Sequence, residues 1–196
     1  MPEILSFLTN HGLELLGFIV GLFYLWWEYQ ADNRVWLAGL VMPAISMWIY
    51  FSKGLYADFA INIYYFLMAI YGYARWSGGR KSTEKKPLPV THIPIWGIAA
   101  SVISSLALWW LLWWLLSTFT DSNVPVADAF TTALSIVGTW MLTRKWAEQW
   151  LIWIMVDTVC VGLYIYKGLV FYPVLYGIYT IIACFGYRKW LRMIAR

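Results

Sequence analysis

Charge is what this 196-residue chain lacks most: Asp, Glu, Lys and Arg make up only 12% of it, against 62% hydrophobic residues. A soluble domain of this length needs far more surface charge, so the composition places the chain among integral membrane proteins. Cysteine is nearly absent. Cys160 and Cys184 both lie inside apolar runs, which excludes a disulfide framework or a CxxC metal pattern and leaves two small buried hydrophobes. Histidine is equally scarce, with His11 ahead of the first span and His92 in a hydrophilic linker, so no paired His ligands exist for a metal. Gly-x-Ser-x-Gly, P-loop and clustered-carboxylate patterns are missing too, which argues against an enzyme and against an ATP-driven pump, and no cofactor is implied. The N-terminus has no basic n-region, so a cleavable signal peptide is not expected.

Aromatic residues are abundant instead. There are 15 Trp and 14 Tyr, and many of the Trp sit near segment ends, where indoles suit the lipid–water boundary. A bilayer core of about 30 Å needs about 20 mostly apolar residues per helix, and seven segments qualify: 12–29, 35–52, 56–76, 94–118, 125–143, 149–166 and 170–188. "MPEILSFLTN" ahead of them reads as a short interfacial helix, and "SGGRKSTEKKPLPVTHIP" (77–94) is the hydrophilic linker. Of the 14 basic residues, 12 fall at alternate ends that share one side, while Lys53 and Lys167 stand alone on the other. The net charge of +4 is therefore a topology signal and not a nucleic-acid footprint. It puts the N-terminus outside and the C-terminus in the cytoplasm.

A repeat is hidden in the chain. Shifted by 114 positions, the blocks starting at Trp36 and Trp150 align without a gap over 41 residues and agree at 11, including Tyr50/Tyr164, Lys53/Lys167, Gly54/Gly168, Gly72/Gly186, Tyr73/Tyr187 and Trp76/Trp190. Each copy, with the span before it, makes a three-helix unit. The single span between them restores the direction of travel, so the expected architecture is all-α, seven transmembrane helices as 3+1+3 parallel repeats. The corresponding divisions are an N-terminal three-helix repeat (1–76), a basic linker (77–93), a connecting helix (94–118) and a C-terminal three-helix repeat (119–196). Lys53-Gly54 and Lys167-Gly168 mark equivalent outer turns.

Several polar groups sit where hydrocarbon makes them costly. On the sixth span Trp150, Trp153 and Asp157 follow at i, i+3 and i+7, so all three project from one face. Asp157 lies near mid-span and is expected to be protonated, paired or facing a wet cavity; lipid anchoring is the alternative for the tryptophans. On the third span Asn62, Tyr65, Ala69, Gly72 and Trp76 form a helical stripe, matched on the last span by Tyr176, Tyr179, Ala183, Gly186 and Trp190. The small members of both stripes are read as close helix packing. Glu28 closes the first span after "YLWW" and is either a solvated end-of-helix acid or part of a site. A pocket walled by Trp, Tyr, Asn and acid suits a flat ring cation, each aromatic face contributing about 0.5–2 kcal/mol. It offers no Lys or Arg for a phosphate.

"WLIW" on the sixth helix, "YKGL" at the next turn, and "YGYARW" and "GYRKW" closing the third and seventh helices make the chain resemble the PnuC family of bacterial vitamin transporters over nearly its whole length. The resemblance implies a SWEET-like fold, a homotrimer in the inner membrane, and facilitated diffusion of an unphosphorylated vitamin that a cytoplasmic kinase then traps. It places the vitamin mid-membrane beside Trp150, Trp153 and the last span. Nicotinamide riboside carriers of that family have Asn-x-x-Tyr on the last helix and Gln on the third; here those positions read "YGIY" and Asn62. "WWEYQ" and "YADFAINIYY" are similar to the thiamine-type (PnuT) branch, so thiamine is the first expectation and nicotinamide riboside the second. The expected binding residues are Trp150, Trp153, Asp157, Asn62, Tyr65, Tyr176, Tyr179 and Glu28.

Overall fold

A computed structural model describes residues 20–52, 56–78, 88–166, 168 and 171–195. The N-terminal interfacial segment, His11, Lys53-Gly54, Lys167 and the basic stretch 79–87 lie outside the described residues. Among the described residues there are seven helices: α1 (described over 20–29), α2 (Val35–Ser52), α3 (Tyr56–Trp76), α4 (Ile95–Phe119), α5 (Pro125–Thr143), α6 (Gln149–Tyr166) and α7 (Phe171–Ile194). Four of these boundaries coincide with the sequence expectation, and α4 is displaced by one residue. Helix α7 runs six residues beyond the expected end at 188, because "RKWLRMI" holds good helix formers and no glycine or proline to stop it. By length and composition α2, α4, α5 and α6 are apolar enough to cross a membrane. Tyr, Asn and Arg residues lower the hydropathy of α3 and α7.

The chain divides into two compact units, Met1–Leu88 and Pro89–Arg196, so α4 belongs with the second. In the first unit a turn follows α1, with Ala31 at φ 53° and its N–H donating to the Glu28 carbonyl at 2.9 Å. Asp32 then accepts from the Arg34 backbone N–H at 2.9 Å and from its guanidinium at 2.7 Å, which primes the start of α2. The hydrogen-bonded Asp32 carboxylate holds the fully exposed Arg34 guanidinium above its ordinary pKa. Buried Trp36 on α2 meets buried Trp76 on α3 edge-to-face at 5.3 Å, and Gly72 lies flush under the Trp36 ring.

The second unit repeats that contact. Trp150 on α6 meets Trp190 on α7 at 5.8 Å and 90°, over Gly186. The duplication read from the sequence thus corresponds to one helix-pair contact built twice, an indole seated on a glycine with a second indole at its edge. In the same unit α5 contributes Ala129, Ala133, Leu134, Val137, Met141 and Leu142 to the core. The segment entering α4 is clasped to the α5–α6 turn: the Thr91 N–H donates to the Lys145 carbonyl at 3.1 Å, and the Ala147 N–H to the Thr91 carbonyl at 3.0 Å. Glu148 completes the clasp, one oxygen 2.7 Å from His92 Nδ1 and the other accepting from the Ile93 N–H at 2.8 Å.

Candidate functional site

The α6–α7 pair carries two facing stripes. On α6, Trp153, Asp157, Cys160 and Tyr164 recur at spacings of four, three and four; on α7, Tyr172, Tyr176, Tyr179 and Ala183 do the same. The rings meet where the stripes face. Tyr164 stacks on Tyr172 at 5.1 Å and on Tyr176 at 5.3 Å, both with an interplanar angle of 29°, and Tyr176 meets Tyr179 edge-on at 5.8 Å. Asp157 is 7% exposed and electrostatically coupled to Tyr176 and Tyr179. Among the described residues it makes no hydrogen bond or ion pair. A lone ionised carboxylate near the middle of a membrane helix costs about 3 kcal/mol, which a cationic ligand would offset. Trp153 is half-buried against the cluster of Leu134, Val156 and Cys160, and its indole Nε1 is buried with no acceptor among the described residues. The site therefore presents flat rings, one acid and a spare indole donor.

Trp150 stands apart from these groups. It is 1% exposed, pressed between Trp190 and Gly186, as its counterpart Trp36 is pressed against Trp76 and Gly72. Packing accounts for its position, although its Nε1 also has no acceptor. The repeat register sharpens the contrast. Trp36 and Trp150 are the same residue with the same job, whereas Trp153 corresponds to Gly39 and Asp157 to Pro43, a residue inside α2. A Cβ on Gly39 would meet Tyr24 at 3.6 Å and Ala69 at 3.5 Å, so in the first unit that space belongs to Tyr24 and α3. The shared tryptophans and glycines build the scaffold and Tyr164 and Tyr179 are shared as well, whereas the Trp153–Asp157 pair belongs to the second copy alone.

The first unit has its own acid among tyrosines. Glu28 is 2% exposed, which overturns the solvated end-of-helix reading, and Tyr24 lies within electrostatic range of both Glu28 and Tyr65. Tyr65 packs edge-on against Tyr64 at 5.5 Å, and Asn62 is half-buried and engaged with other groups of the chain. Sequence reasoning passed over Tyr164 and Tyr172. The signal was available, because Tyr164 continues the Trp153–Asp157 stripe by seven residues and is itself one of the repeated positions. No group of three or more His, Cys, Asp or Glu that could hold a metal occurs among the described residues.

Comparison with known proteins gives these features a context. The family model described as "Nicotinamide mononucleotide transporter" matches residues 11–192. The nicotinamide riboside transporter PnuC of Escherichia coli is 25% identical over 91% of this chain and 84% of its own length. The protein of the same name from Neisseria mucosa is 24% identical over 82% of this chain and 65% of its own. The riboflavin/roseoflavin transporter RibM of Streptomyces davaonensis is 26% identical over 90% of this chain and 83% of its own. Among solved structures, a crystal structure of the vitamin B3 transporter PnuC superimposes with a TM-score of 0.71 at 19% identity, covering 100% of this chain and 87% of that one.

Proposed function

Because the chain belongs to the nicotinamide mononucleotide transporter family, a PnuC family of multi-pass membrane transporters, we propose that it carries nicotinamide riboside, an unphosphorylated ring cation, across the inner membrane. The observation that carries this reading is the Asp157 carboxylate, buried without an ion-pair partner among the described residues, beside the Tyr164–Tyr176–Tyr179 rings and Trp153. A pyridinium stacks on tyrosine faces and neutralises the acid. A phosphate would find no basic side chain there: from Gln149 to Tyr187 the only one is Lys167, in the α6–α7 turn. This chemistry favours the free nucleoside over the mononucleotide.

Thiamine, the first expectation from the sequence, yields to nicotinamide riboside, which the E. coli and N. mucosa relatives are named for. The ring-and-acid pattern that suggested thiamine suits either cation. Riboflavin, the named cargo of the S. davaonensis relative, is favoured by its 26% identity but brings a neutral ring that leaves Asp157 uncompensated. The working arrangement is seven spans as two parallel three-helix repeats joined by α4, N-terminus outside, assembled as a homotrimer. Downhill passage of the vitamin is drawn inward by a cytoplasmic kinase. Calorimetric titration of the purified protein with nicotinamide riboside, thiamine and riboflavin tests the reading. Binding of nicotinamide riboside at micromolar levels is expected; binding of thiamine or riboflavin alone would replace it.

A further inference from the structure

A second recognition feature lies among α4, α5 and α6, whichever vitamin is carried. A cavity of about 240 Å³ opens between α4, α5 and α6, lined by Ser101, Leu106, Trp109, Phe130, Ala133 and Met155 among others. Its walls are almost wholly apolar. An aromatic cage lies at the C-terminal end of α5: the Arg144 guanidinium is 5.8 Å from the Trp96 ring, 5.4 Å from Trp140 and 5.9 Å from Trp146. The α5 residues Phe130, Ala133, Val137, Trp140 and Arg144 follow at helical spacing, so cavity and cage lie along one α4–α5 furrow, with buried Val137 between them.

Two side chains in this furrow lack a hydrogen-bond partner among the described residues. The Arg144 side chain makes no hydrogen bond or ion pair among the described residues, and its Nε is buried. Ser101, 7% exposed and lining the cavity, has a buried Oγ with no partner. Gly97, one turn before Ser101, packs on Trp146, since a Cβ there would stand 2.8 Å from that ring. Ser101 therefore lies about 6 Å along the helix axis from the cage.

We propose that this furrow holds an anionic phospholipid, its phosphate on Arg144, an ester carbonyl accepting from the Ser101 hydroxyl and one acyl chain in the α4–α5–α6 cavity. The order of chemistry along the furrow is that of the lipid: charge at the end of α5, a hydrogen-bond donor one turn in, and hydrocarbon beyond. A zwitterionic lipid would set its own cation against Arg144, and a free anion would leave the cavity unfilled.

The test is native mass spectrometry of the full-length protein exchanged into phosphatidylglycerol or phosphatidylcholine of identical chains. One basic side chain near an anionic surface is worth about a fivefold preference, so retention of phosphatidylglycerol should exceed phosphatidylcholine by about that factor. Arg144→Gln should erase the preference. Leu106→Trp, which fills the cavity from a lipid-exposed position and leaves Arg144 in place, should lower retention of both lipids while vitamin binding persists. Equal retention of the two lipids, a preference surviving Arg144→Gln, or unchanged retention in Leu106→Trp would each overturn the proposal. So would thermal stabilisation by inorganic phosphate matching that by phosphatidylglycerol. Should Arg144→Gln fail to fold, the lipid comparison on the unmodified protein and the Leu106→Trp arm still decide.

Discussion

Replacing Gly186 by alanine should separate the repeated helix contact from ordinary helix propensity. In a free helix the change stabilises by about 1 kcal/mol. At this position the new methyl would stand 2.7–2.8 Å from three atoms of the Trp150 indole, and that ring is 1% exposed with Trp190 at its edge. The ring has no free direction in which to move, so overpacking of about 1–3 kcal/mol opposes the propensity gain. Gly177 on the same helix meets nothing within 4 Å of an added Cβ, and Gly177→Ala keeps the gain. The two variants should differ by about 1–3 kcal/mol, which corresponds to roughly 2–12 °C in melting temperature for a chain of this size. Thermal unfolding followed by size-exclusion chromatography reads the difference. Trimming the ring closes the cycle, because Trp150→Phe should cost less in the Gly186→Ala background than in the parent, with a coupling of about 0.5–3 kcal/mol. Gly186→Ala melting at or above Gly177→Ala, or a coupling of zero, would refute the packing role given to Trp150.

Three further outcomes follow from the site and the clasp. Asp157→Asn should weaken nicotinamide riboside binding about tenfold or more in calorimetry while leaving the melting temperature unchanged or higher, since a lone buried charge is removed. Trp153→Ala should reduce affinity by about 0.5–2 kcal/mol through loss of a stacking face, whereas Trp150→Phe should act on stability first; a reversal of the two would exchange their roles. Glu148→Ala leaves the Ile93 N–H and His92 without their acceptor, a loss of about 1–3 kcal/mol that should appear as faster hydrogen exchange across 91–94.

Much of the fold was legible because the chain punctuates itself. Pro125 opens α5, the Gly-rich stretch after Trp76 closes α3, and polar residues separate the remaining spans. The last helix was misjudged for want of such a signal: its apolar run ends near 188, but Trp190 continues inward to meet Trp150. The repeat exposed Gly72, Gly186 and both tryptophan pairs, yet a linear reading gave the glycines to packing and Trp150 to the ligand. Only the side-chain contact joins them as one feature. The buried state of Glu28 and the clasp from Thr91 to Glu148 depend on partners far along the chain, which no local pattern reports. Substrate choice was illegible for a different reason. Rings and an acid answer to flatness and positive charge, properties that thiamine and nicotinamide riboside share.

In the proposed function the α6–α7 face, with Asp157 at its middle, passes nicotinamide riboside through the membrane. Uptake of labelled nicotinamide riboside into proteoliposomes of the purified protein, with and without an enclosed phosphorylating kinase, tests it most directly. Saturable uptake is expected to equilibrate without the kinase, accumulate with it, and fall sharply in Asp157→Asn. Labelled thiamine entering while nicotinamide riboside does not, or full uptake by Asp157→Asn, would contradict the account.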